Sequence, residues 1–214
     1  MAISRVGSAS ALANNVALPA HQAGDLILIY SSLNTTSGIT PPNGWLVISQ
    51  AASSGSTVWI GARLAKTASE ASGSWLGANA THAVVYRSSN GILWIPNLTG
   101  SLVNSPTITY PANSQYDGTE SDLWYVATMF NASSTNASEV APTGMTNINS
   151  LTGSGFKTAI HDTNGSSLAN WTQRTVTVAS SVIFRTAVIA IYEVARGGGG
   201  GLILSRPMNG GYSA

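Results

Sequence analysis

Residues 24–32 read GDLILIYSS, and residues 121–129 read SDLWYVATM. Each stretch sets an acidic residue, Asp25 or Asp122, at the head of a short run of aliphatic and aromatic residues, and such runs form strands. The two stretches belong to a longer correspondence. NVALPA at 15–20 precedes the first, and TITYPA at 107–112 precedes the second. PPNGWLVIS at 41–49 is answered by APTGMTNIN at 141–149, and GSTVWIGARLAK at 55–66 by GSGFKTAIHDTN at 153–164. Finally, SGSWLGANATHAVVYR at 72–87 is answered by LANWTQRTVTVASSVIFRTAVIAIYEV at 168–194. Matches in one order at a spacing of roughly one hundred residues imply a strand-rich unit used twice.

No long stretch keeps a helical period, so the fold class expected is all-β. Strands are expected at 14–18, 25–32, 45–50, 57–64, 81–87, 92–95, 107–110, 122–130, 145–149, 156–161, 174–178 and 182–194. A sheet from each half has one face to bury and can bury it against the other. The expected architecture is therefore an antiparallel, jelly-roll-like β-sandwich of two pseudo-repeats, about 8–96 and 104–194. It forms one domain over 1–194, followed by a Gly-rich tail over 195–214. Leu26, Leu28, Tyr30, Val84 and Tyr86 should correspond to Leu123, Tyr125, Val188, Ala190 and Tyr192 as alternating sets on related strands. Asp25 and Asp122 should accept backbone N–H bonds at the turns they head. The Pro42-Asn43-Gly44 and Pro142-Thr143-Gly144 turns place Trp45 and Met145 alike, as caps on the core end, with a sugar-stacking role as the alternative for the Trp.

Charge is the unusual quantity. Asp, Glu, Lys and Arg make up 8% of the 214 residues, against about 25% in an ordinary domain, so Ser, Thr, Asn and Gly must cover the surface. A net charge of +1, with Lys66 and Lys157 as the lysines, provides no basic patch for nucleic acid or an anionic membrane. The longest apolar stretch, 182–194, is short for a membrane span and contains Arg185. Without cysteine, disulfides and thiolate chemistry are excluded. The N-terminus lacks the apolar core of a signal peptide. The N-x-S/T sequons at Asn34, Asn79, Asn97, Asn131, Asn136, Asn164 and Asn170 then read as polar turns.

Catalytic patterns are missing as well. Asp117, Glu120 and Asp122 share a loop, but their spacing is not that of a calcium loop. His161 and Asp162 are adjacent, so on a strand they point to opposite faces and cannot form a relay. His21 and His82 lie in no metal-ligand spacing, and no Gly-x-Ser-x-Gly elbow or carboxylate pair stands out. The expectation is no catalytic residue, no metal and no cofactor. The C-terminus carries the one distinctive candidate: Gly197, Gly198, Gly199, Gly200 and Gly201 as a hinge, then Leu202, Ile203, Leu204, Pro207 and Tyr212 as a partner-docking segment.

The ordered motifs LPAHQAGDLILIY, PPNGWLVIS, ASEASGSWLGANATHAVVYR, APTGMTNIN and HDTNGSSLANWTQRTVTV resemble a family of small virion-associated β-sandwich proteins of tailed bacteriophages, over about residues 8–194. The Gly-rich end departs from the shared pattern. The resemblance implies a non-enzymatic structural protein, a capsid decoration protein that docks on the particle as a homo-oligomer such as a trimer. Its partners would be the major capsid protein or tail proteins, and its location the virion, after synthesis in the bacterial cytoplasm. The alternative it implies is a tail or fibre adhesin that binds a glycan.

Overall fold

Runs of Val, Ile, Tyr and Trp between Gly- and Pro-bearing turns form ten strands: β1 (Ile3–Ala11), β2 (Leu26–Leu33), β3 (Leu46–Ser53), β4 (Ser56–Leu64), β5 (Ala80–Ser88), β6 (Gly91–Tyr110), β7 (Asp122–Asn131), β8 (Thr146–Gly153), β9 (Phe156–Asp162) and β10 (Arg174–Ala195). The computed structural model describes residues 3–89, 91–114, 122–135, 140–165 and 170–195, and among these there is no helix. The strands make two antiparallel five-stranded sheets, ordered β1-β5-β2-β4-β3 and β6-β10-β7-β9-β8. Each half of the chain builds one sheet, and the second order repeats the first with five added to every number. The expected repeat is therefore a repeat of topology.

The irregularities repeat too. β3 against β4 shifts register between Val47 and Ser49, and β8 against β9 between Asn147 and Asn149. β1 against β5 shifts between Arg5 and Gly7, where Gly7 faces Val85. β6 against β10 shifts at the corresponding place, where Asn97 faces Ala190. This second shift falls at Pro96, and a further one between Thr177 and Val182 falls opposite Pro106. A proline has no N–H to give to a ladder, so a bulge is where one can sit within a long strand.

The matched bulges fix how the halves correspond, and they correct the sequence reading by one residue. Val47 faces Gly61 and Asn147 faces His161, so β3–β4 maps onto β8–β9 with a constant step. Tyr30 faces Ile60 while Thr128 faces Ile160, so Tyr30 corresponds to Thr128 and Asp25 to Leu123. The sets expected to be equivalent consequently lie on opposite faces. Leu26, Leu28, Tyr30, Val84 and Tyr86 fill the core between the sheets, together with Trp124, Val126, Ile189 and Ile191. Leu123, Tyr125, Val188, Ala190 and Tyr192 fill a separate cluster behind the second sheet. A slip of one residue moves every side chain to the other face.

Each sheet is also buried on both faces, not one. Behind the first sheet, Ile27, Ile29, Ala83 and Val85 are covered by Val16, Leu18, Ile39, Trp45 and Trp75. Residues 14–18, expected as a strand, are part of this cover, and the first strand is β1 instead. The separate strands expected at 92–95 and 107–110, and at 174–178 and 182–194, are merged into β6 and β10.

Candidate functional site

Polar side chains cross between the sheets as a seam. Asp162, at the end of β9, is buried; its Oδ1 lies 2.6 Å from Arg5 Nη1 and accepts the Asn164 N–H at 3.0 Å. Its Oδ2 accepts the Tyr86 hydroxyl at 3.1 Å. Burial, then the Asp162 charge, push the Tyr86 phenol well above its ordinary pKa. Beside them, His82 on β5 stacks on Tyr30, and its Nε2 lies 2.6 Å from Thr158 Oγ1 on β9. Arg185 Nε on β10 donates to Ser56 Oγ on β4 at 2.6 Å. β5 with β9 and β10 with β4 are corresponding pairs of strands in the two halves, bridged by residues at different positions. Ser88 at the end of β5 also bonds Glu193 on β10.

His161 points to the opposite face of β9 from Asp162, as expected of neighbours on a strand. Its Nε2 lies 3.3 Å from the Tyr110 hydroxyl, inside the cluster behind the second sheet. Burial pulls the pKa of His82 down to about 3, with repulsion from His161 adding to it, and burial pulls that of His161 down to about 4. Both rings are neutral in the folded protein at neutral pH. The position equivalent to His161 is Gly61, and a Cβ there would lie 2.4 Å from Trp75 Cη2. Half one therefore lays an indole on bare backbone where half two places an imidazole.

Asp25 is buried as well. It accepts the Gln22 N–H at 2.8 Å, as expected of a turn head, and two bonds from Arg87, from Nε at 2.8 Å and Nη2 at 2.7 Å. His21 is held by Pro19 O at 2.7 Å and by the Glu70 N–H at 3.0 Å. Glu70 in turn accepts the Lys66 N–H and pairs with Arg63. Nothing in the sequence marked this closed loop, because Glu70 lies in no motif. The paired turns place their aromatic and thioether side chains alike, with Gly44 at φ 85° and Gly144 at φ 89°. Trp45 is half-buried against Trp75 beneath the Arg63 guanidinium, and Met145 is buried against the second sheet. Trp171, equivalent to Trp75, carries Arg174 over its ring.

The exposed large apolar side chains among the described residues are Leu12, Leu46, Leu76 and Val140. Trp45 and Trp59 are partly buried. Asp117 and Glu120, the hinge Gly197 to Gly201, and Leu202, Ile203, Leu204, Pro207 and Tyr212 lie outside the described residues. No three His, Asp or Glu side chains of the described residues form a metal-binding group. Compared with family models, curated proteins and solved structures, the chain matches none.

Proposed function

We propose that the chain is a structural protein of a tailed-phage particle, a sandwich that docks on the capsid shell as an oligomer, with its C-terminal segment engaging a neighbour. One observation carries the reading. Among the described residues, Asp25, His82, His161, Asp162, Arg185 and Glu193 are buried, and the bonds described for them, and for the partly buried His21 and Glu70, hold strands, turns and sheets together. What remains for contact is a surface of low charge built from Ser, Thr, Asn and Gly. Such a surface suits broad docking against another protein better than attraction of a charged ligand. The resemblance of the ordered sequence motifs to phage virion proteins, an expectation from the sequence, points the same way. A module that binds assembled lattice and not free subunits stabilises the lattice by mass action.

The test is reconstitution. Purified full-length chain is added to shells assembled without it and, separately, to free tails, and both are sedimented. Saturable binding to shells supports the reading; binding to neither removes it.

A further inference from the structure

The chain contains four Asn-Gly pairs, at 43–44, 90–91, 164–165 and 209–210. At such a pair the side-chain amide can meet the next backbone nitrogen, because glycine has no Cβ to obstruct the approach. Asn90 and Asn209 lie outside the described residues, and Asn43 and Asn164 are both exposed. Their surroundings differ. Near Asn43, the Arg63 guanidinium stacks on Trp45 and pairs with Glu70. Asn164 instead presents its side-chain oxygen to an arginine. Its Oδ1 accepts Arg5 Nη2 at 3.3 Å, while Arg5 Nη1 holds Asp162 Oδ1 at 2.6 Å. The same Asp162 oxygen accepts the Asn164 N–H at 3.0 Å, and the Thr163 hydroxyl donates to Gly165 O at 2.8 Å. Asn164 sits at φ 48°, a left-handed conformation that asparagine tolerates. Beyond its chain neighbours, a Cβ at Gly165 would have Thr163 O, at 3.9 Å, as its nearest described atom, so the backbone there has room to turn.

We propose that Asn164 is a site of self-modification, converting to a carboxylate through a cyclic imide, with Arg5 promoting the step. The peptide plane between 164 and 165 turns, and the Gly165 nitrogen attacks Asn164 Cγ to form a new C–N bond. Negative charge gathers on Oδ1, the atom the guanidinium already holds, so a donor stands where charge develops. The bond from Cγ to the side-chain nitrogen breaks, and that nitrogen leaves as ammonia with the proton given up by the Gly165 nitrogen. Water then opens the imide at one carbonyl or the other. The products are aspartate, and isoaspartate in which the main chain runs through the former side chain. Either way a neutral side chain becomes a carboxylate, and the formal net charge falls from +1 to zero. In the aspartate product, Arg5 exchanges a neutral acceptor for a charged one, which makes the stronger bond. Arg5 belongs to β1 and Asp162 to β9, so the change falls on a tie between the two sheets. The inference is independent of the virion reading.

Peptide mapping of the full-length protein after incubation at mildly alkaline pH tests the proposal. Trypsin cutting after Lys157 and Arg174 isolates residue 164, and cutting after Arg5 and Arg63 isolates residue 43. Replacement of NH2 by OH is read as a mass gain, and fragmentation of each peptide places it. In the folded chain residue 164 should convert several-fold faster than residue 43. Arg5→Gln, its folding checked by circular dichroism, should slow conversion at 164 by about tenfold, the scale of losing one hydrogen bond from a charged group, and leave residue 43 unchanged. In urea the Arg5 contact is lost and the two positions should convert alike, a comparison that needs no variant to fold. Residue 164 intact while 43 converts, conversion at 164 as fast or faster in folded Arg5→Gln, or a preference for 164 that persists in urea overturns the proposal.

Discussion

Lowering the pH from 7 to 5 should cost the sandwich about 4 kcal/mol of stability, because His82 and His161 are buried as neutral rings. Their folded pKa values, about 3 and about 4, lie below the unfolded value of about 6.5. Between these limits the unfolded chain binds protons that the folded chain refuses, so stability falls as pH falls. Each histidine contributes about 1.4 kcal/mol per pH unit, or about 2 kcal/mol over the 1.5 units down to pH 5. The figure does not depend on the depth of the folded values, provided both stay below 5. Urea unfolding followed by tryptophan fluorescence at the two pH values reads the difference directly, with the slope against denaturant unchanged. His82→Gln, which retains a side-chain amide able to reach Thr158, should halve the pH dependence whatever it does to stability at pH 7. Equal stability at both pH values, or an unaltered pH dependence in His82→Gln, would refute the burial of neutral imidazoles.

Gly61→Ala should destabilise by about 1–3 kcal/mol, as overpacking does, because the new methyl meets the Trp75 ring; pairing it with Trp75→Leu in a double-mutant cycle should recover part of that loss. Asp162→Asn should cost about 1–3 kcal/mol through its bonds to Arg5 and Tyr86, with Tyr86→Phe costing less, since the Arg5 contact remains; calorimetric unfolding of both variants checks the order. Ser54 sits at φ 51° in the β3–β4 turn, so Ser54→Gly should raise the melting temperature slightly, with relief of left-handed strain outweighing the added chain entropy.

The repeat and most of the strands, though not β1, were legible in the sequence because their signals are local: Pro-x-Gly turns, strand-forming runs and a constant order. The facing of those strands was not legible. All eight residues of β2 are buried, and a strand covered on both faces has no polar alternation to fix its phase. Matching Asp25 with Asp122 was then as reasonable as the true match one residue away, which depends on bulges at Val47 and Asn147 that follow from pairing. The cover over Ile29 and Val85 was likewise hidden, since Val16 and Leu18 look like a strand until β1 occupies that edge. Among the candidate site residues, the opposition of His161 and Asp162 was legible from adjacency alone. Their partners, Tyr110 and Arg5, were not, being more than fifty and one hundred and fifty positions distant.

Quantitative mass spectrometry of purified particles tests the central claim most directly. A shell-docking sandwich should be present in roughly hundreds of copies, in a fixed ratio to the major capsid protein, as lattice symmetry requires. Absence from the particles, or only a few to a few dozen copies as for a tail part, would contradict it.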